Sequence, residues 1–97
     1  MEVALKVNNS EFSIGDIRRT IADALANQLE EARQRRDYYQ SRCAAFEQAH
    51  SLSSTEFSAK FASGELGDDA EWFDWLAALR AFEHWDRRFR ILSEISV

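Results

Sequence analysis

Leu52-Ser53-Ser54-Thr55-Glu56-Phe57 opens a short segment whose punctuation organises the whole chain. Ser53 and Glu56 stand three apart as a capping box, and Leu52 with Phe57 brackets them as a hydrophobic staple, so a helix starts here. Phe57 and Phe61 lie four apart and share one edge of that helix. Gly64 suits the left-handed position just past a helix end, and Glu65-Leu66-Gly67 makes a tight connector. A third start signal follows at Asp68, with Glu71 three residues on and Asp69 adding negative charge where the helix dipole favours it. The spacing predicts a short helix over 53–63 and a longer one over 68–95.

Upstream, Ser13 is a good N-cap with Asp16 three residues on, and Phe12 and Ile17 fit a second staple. Ile14, Ile17, Ile21, Leu25, Leu29, Ala32, Tyr39, Cys43 and Phe46 then mostly keep one helical face, which predicts a helix over 13–50. At 1.5 Å per residue such a helix is about 55 Å long. A compact domain of this size cannot hold it unpaired, so it must pack along most of its length. The helix over 68–95 supplies the partner, carrying Trp72, Phe73, Trp75, Leu76, Leu79, Phe82, Trp85, Phe89, Leu92 and Ile95. The expected architecture is all-α: a single domain, residues 1–97, built as a long antiparallel helical hairpin with a short connecting helix. With the turn centred near residue 60, Phe46 meets Trp72 to Trp75 and Tyr39 meets Phe82. The last helix then stops near Leu25, leaving roughly 11 residues of the first helix without a partner at that pitch. Ile14, Ile17 and Ile21 sit on that overhang, and exposed aliphatic surface of this extent marks an interface or a dimeric helix bundle. Trp72, Phe73, Trp75 and Leu76 span about two-thirds of the helix circumference, more than one neighbouring helix covers.

Residues 1–12 form a strand or a tail. Val3, Leu5 and Val7 alternate with polar residues and would share one strand face, but one strand alone satisfies neither its backbone nor its face. A strand here would pair with another chain.

Composition supports this architecture. Proline is absent, glycine occurs three times in 97 residues, and seven Phe, three Trp and two Tyr supply core material. Twelve basic against 17 acidic residues leave a net charge of −5, which disfavours a role in nucleic-acid backbone binding. The N-terminus shows neither a signal-peptide pattern nor a membrane span, so a soluble, cytoplasmic protein is expected. No cofactor is implied. One cysteine excludes an intrachain disulfide, and His50 and His84 lack helical ligand spacing, so no metal site is expected. Cys43 sits on the packed face beside Phe46 as a structural thiol. The carboxylates have local explanations as caps or helix-surface pairs, and a hairpin offers little concavity for shifting their pKa values, so no catalysis is expected.

Ten arginines against two lysines cluster as Arg33, Arg35, Arg36 and Arg42 opposite Arg80, Arg87, Arg88 and Arg90. They read first as ion pairs with Glu30, Glu31, Asp37, Glu83 and Asp86. A band gripping a partner's carboxylates, with Arg33 and Arg36 among its contacts, or an RNA-facing band are the sharper readings.

The run Ser53-Ser54-Thr55-Glu56-Phe57 through Phe61-Ala62-Ser63-Gly64-Glu65-Leu66-Gly67-Asp68-Asp69 to Trp72-Phe73-Asp74-Trp75 resembles a group of short helical prokaryotic proteins, common in archaea and cyanobacteria. Many of these look like antitoxins encoded beside a small toxin gene. The resemblance implies a non-catalytic inhibitor that neutralises its toxin by direct binding. No ribbon-helix-helix or helix-turn-helix unit accompanies it. The partner is then a cognate toxin, or in the alternative a second copy in a homodimeric coiled-coil scaffold. The expected partner-binding residues are Val3, Leu5, Val7, Ile14, Ile17, Ile21, Arg33 and Arg36.

Overall fold

The computed structural model describes residues 6–8 and 11–97. Within them the chain forms three helices, α1 (Ile14–His50), α2 (Ser54–Ala62) and α3 (Ala70–Ser93). No strand occurs among the described residues; Val7 is exposed coil, and Val3 and Leu5 of the expected strand lie outside them. α1 and α3 pack against each other as an antiparallel hairpin, with α2 across the closed end. The molecule measures 60 × 21 × 21 Å with a radius of gyration of 19.3 Å. A compact chain of equal length would have a radius of about 13 Å. The length of α1 sets the long dimension.

The helix ends follow from local chemistry. Ser13 Oγ accepts the Asp16 N–H at 3.1 Å, and the Ser13 carbonyl accepts from Ile17 at 3.1 Å. Ser53 Oγ accepts the Glu56 N–H at 3.1 Å and donates to the Glu56 carboxylate at 3.1 Å, so this capping box closes through the hydroxyl. α2 ends with Gly64 at φ 79°, its N–H on the Phe61 carbonyl and the Glu65 N–H on the Lys60 carbonyl. These two bonds make a Schellman motif, for which a left-handed residue is required. The expected cap at Asp68 shifts by one: Asp69 is the N-cap of α3, and its side chain makes no capping hydrogen bond. With the cap at Asp69, Glu71 stands at N2, one position short of a capping box, and its carboxylate faces His50 across the hairpin, 2.9 Å from Nε2. At the other end α3 stops at Ser93, where Glu94 and Ile95 bond three residues back and tighten the last turn.

The core lies at the closed end, and Trp75 is its centre. Trp75 and Phe57 are fully buried and stack at 4.0 Å with 5° between ring planes. Phe46 lies near-parallel to Trp75 at 5.6 Å and His50 at 5.5 Å. The indole N–H donates to Ser54 Oγ at 3.1 Å, so the buried polar atom is satisfied. One side chain of α3 thus holds residues of both α1 and α2. Of the aromatic run around it, Trp72 and Leu76 are half-buried and Phe73 stays 50% exposed, with Phe61 of α2 edge-on to it at 5.3 Å. The short helix covers only part of the surplus.

The turn from α1 to α2 carries strain. Ser51 adopts φ 49°, ψ 46°, the left-handed conformation that costs a residue with a Cβ about 1–2 kcal/mol. Glu47 holds it there from both sides. Its carbonyl accepts the Leu52 N–H at 3.2 Å, and its carboxylate accepts the Ser54 N–H at 2.8 Å, satisfying a free donor at the start of α2. Replacing Ser51 by Gly removes the Cβ clash and should stabilise the fold by about 1 kcal/mol, raising Tm by roughly 4–8 °C. Ser51→Val should lower it, and thermal unfolding followed by circular dichroism reads both.

Candidate partner-binding surface

α3 covers only part of α1. Phe46 stacks on Trp75, His50 lies against Trp72 at 4.6 Å, and Gln28 accepts from Arg88 at 3.0 Å. This register brings the end of α3 to the level of Leu25 to Gln28, as the expected turn requires. Residues 14–24 therefore run on as bare helix for about 16 Å. Ile14 is 69% and Phe12 62% exposed, while Ile17, Ile21 and Leu25 are half-exposed. Phe12, Asp16, Ile17, Thr20 and Ile21 line a shallow groove of about 350 Å³. The apolar face of this segment continues the one that α3 covers further along α1.

The expected arginine residues stand elsewhere. Arg33 and Arg36 lie in the middle of α1, about 24 Å along the helix from Ile17 and Ile21. Arg33 forks onto the Glu30 carboxylate and reaches Asp37 at 3.5 Å. Hydrogen bonds from Arg33 and then Gln34 hold the Glu30 carboxyl below its usual range, and the same bond raises the Arg33 guanidinium. Arg36 bonds Asp37 at 2.9 Å and lies over the Phe89 ring at 4.3 Å; Arg35 bonds Glu31 at 3.2 Å and lies over Trp85 at 5.1 Å. Arg80 pairs with Glu83 and Arg90 with Asp86. These are the expected acids. The pairs lie within single helices and at the surface, where each contributes about 0–1 kcal/mol. The guanidiniums stacked on Trp85 and Phe89 also roof the aromatic face of α3.

A polar network at the closed end is absent from the sequence reading. Ser54 is buried, accepts from Trp75, and hydrogen-bonds the buried thiol of Cys43. Burial pushes the Cys43 thiol up from its ordinary pKa, and the Ser54 bond offsets only part of that. The thiol therefore stays protonated at neutral pH and is a poor nucleophile. The Ser-Ser pair carries one usable signal: a cap needs only one serine. Beside this network, Tyr38, Arg42, Phe46 and Glu71 help line a second surface groove of about 390 Å³, with Tyr38 57% exposed.

Comparisons with protein-family models, with curated proteins and with solved structures find no match to this chain. Among the described residues no helix is long and apolar enough to cross a membrane. Function must therefore be read from the surface itself.

Ser54→Ala leaves the Trp75 indole N–H buried with no acceptor. We expect a loss of about 1–3 kcal/mol in urea unfolding and, because the Ser54 bond that lowers the Cys43 thiol pKa is gone, slower reaction of Cys43 with a thiol reagent in the native state. Wild-type stability in this variant would show that the indole finds another acceptor.

Proposed function

We propose that this chain is a non-catalytic protein-binding module whose working surface is the N-terminal overhang of α1, and that its specific role is an antitoxin neutralising a toxin by direct binding. The observation that carries this reading is the bare stretch of α1 before Leu25, where Ile14 and Phe12 are turned to solvent. Holding large aliphatic side chains in water is unfavourable by about 1.5–3 kcal/mol each relative to burial, and a surface of this kind is what partners cover. The resemblance of residues 53–75 to antitoxin-like helical proteins supplies the toxin as the partner class. The alternation of Val3, Leu5 and Val7 just before α1 in the sequence suits addition to a partner's exposed sheet edge. The arginines support a nucleic-acid role poorly, because Glu30, Glu31, Asp37, Glu83 and Asp86 already engage many of them in a chain of net charge −5. The overhang equally suits the alternative in which it serves as the dimerisation element of a scaffold protein.

Co-expression tests the antitoxin reading. A small toxin encoded beside this chain's gene should be neutralised by the full chain. Ile14→Asp with Ile17→Asp should abolish rescue while leaving helicity and Trp fluorescence unchanged, since neither residue touches the Trp75 core. Undiminished rescue by that double variant would remove the overhang from the binding surface.

A further inference from the structure

We infer that the segment seated on the overhang belongs to a different protein and is acidic and amphipathic. Its apolar side chains lie on Ile14, Ile17 and Ile21, and its carboxylates are gripped by Arg18 at one end and by Arg87 and Arg88 at the other. The inference rests on the reading of the overhang as a docking surface and names the chemistry of its occupant.

The distribution of unpaired arginines points to carboxylates. Acids are in excess in this chain of net charge −5, and most of its ten arginines find one. Arg19, Arg33, Arg35, Arg36, Arg80 and Arg90 each pair with a carboxylate at 3.7 Å or less. Arg18, Arg42, Arg87 and Arg88 form no ion pair among the described residues. Of these four, Arg42 lies over Phe46 in the closed half of the hairpin. The other three stand at the open end, where α3 stops covering α1.

Arg18 stands on the bare face itself. It is exposed and lies about 40° around the helix from Ile14 and about 20° from Leu25. The acids of this segment, Asp16 and Asp23, each follow an isoleucine by two residues and so lie about 200° around from it. Asp16 reaches only the rim of the groove beside Ile17, and Arg19 pairs with it at 3.7 Å. The bare apolar face thus carries one charge, and that charge is positive. Beyond its other end, His84, Arg87, Arg88, Ile91 and Leu92 line a groove of about 320 Å³ with no acid in its wall. Ile91, 52% exposed, gives this groove an apolar side. Arg88 bonds the neutral amide of Gln28 at 3.0 Å, which fixes the groove at the level where the cover of α3 ends. From Arg18 to that level is about 15 Å along α1, just under three turns of a helix. The matching segment has apolar residues at helical spacing and carboxylates near both ends.

Other occupants fit this surface less well. An isologous contact repeats every residue, so a second copy brings two Arg18 guanidiniums into the seam and no carboxylate to meet them. A nucleic acid supplies anions but no apolar face, and leaves Ile14, Ile17 and Ile21 in water. A protein segment that carries both matches what the surface offers. Exposed ion pairs add little affinity each and act chiefly on association rate and choice of partner. The isoleucines therefore supply the contact, and the arginines select which apolar face is admitted.

The test is a titration of the isotope-labelled full chain at low salt, followed through its backbone amide shifts. The probe is a synthetic amphipathic helix of about 15 residues with leucines along one face and glutamates beside them. It is compared with the same peptide carrying lysine for glutamate, with an acidic scramble that has no apolar face, and with an oligouridylate. The acidic helix should shift the amides of residues 14–25 and 87–92 and bind at least about 10-fold more tightly than the lysine version. Arg18→Glu, and separately Arg87→Glu with Arg88→Glu, should each reduce that preference by about 3-fold or more, and Arg18→Gln by less. Ile17→Asp should abolish binding of either peptide. These side chains are exposed or half-exposed, so an unchanged spectrum elsewhere shows that each variant keeps the fold. Equal affinity for the glutamate and lysine peptides, or a preference that survives the arginine reversals, would overturn the inference and leave the overhang a docking surface. Acidic-helix binding that Ile17→Asp leaves intact would overturn both. A scramble or oligouridylate that binds as tightly as the acidic helix would overturn the inference in favour of a bare polyanion. A free chain that sediments as a dimer, dissociated by Ile17→Asp, would overturn it in favour of a second copy.

Discussion

The stack of Phe57 on Trp75, with the Trp75 indole bonded to Ser54, is the contact through which three helices become one structure. α2 is nine residues long, too short to persist by itself in water. It is held by Phe57 and Ser54, both buried against Trp75, and by the carboxylate of Glu47 on its first N–H. The same indole carries Phe46 and His50 of α1 beside it. Truncating a buried Trp or Phe typically costs about 3–5 kcal/mol. A domain of this length has about 5–15 kcal/mol in total. Loss of this one contact is therefore comparable to loss of the fold, whereas no surface ion pair along the hairpin approaches it.

Such concentration at one end follows from the architecture. Two helices in line contact share a narrow seam, and the buried apolar residues along it beyond the Trp75 junction are small: Ala32, Cys43 and Ala78. Elsewhere the aromatic face of α3 is covered by side chains that are themselves half in water. Arg35 over Trp85 and Arg36 over Phe89 are the clearest cases. Their stems exclude water from the rings while Glu31 and Asp37 hold the guanidiniums in place. The arginine cluster that looks like a hook for a partner is thus largely consumed as a lid over the chain's own aromatics.

Helices, their order and their antiparallel register are legible in the sequence because capping chemistry is local. Ser13, Ser53 and Gly64 announce themselves within three or four residues, and the 3.6-residue period extends each signal along a face. Once the turn is placed, the pairing of Phe46 with Trp75 follows by counting, and so does the bare end of α1. What is not legible is what depends on two segments meeting. Asp68 and Asp69 read alike as caps, and nothing local shows that the helix starts after Asp69 or that the Glu71 carboxylate meets His50, 21 positions away. Ser54 reads as a spare cap residue until Trp75, 21 positions away, points its N–H at it. Arg33 and Arg36 stand between four and five turns of helix from Ile17 and Ile21, a distance that residue type alone does not carry.

The bare segment of α1 stays helical without a neighbour for reasons of its own. An isolated helix of a dozen residues is marginal in water, since nucleation is costly and each added residue gains little. This segment avoids nucleation because it continues a helix that the hairpin already fixes. Its free end is capped by Ser13 on the Asp16 N–H, with Asp16 itself placed where the dipole favours an anion. Propagation and capping together keep it formed, so Ile14, Ile17 and Ile21 are displayed at fixed helical spacing before any partner arrives. A partner then loses little conformational entropy in ordering this surface, and the binding free energy of a small interface is spared that penalty. Gly15 sets the limit on this preorganisation. In the first turn it weakens the helix by about 1 kcal/mol relative to alanine, so the outermost isoleucine is the one whose position remains most adjustable.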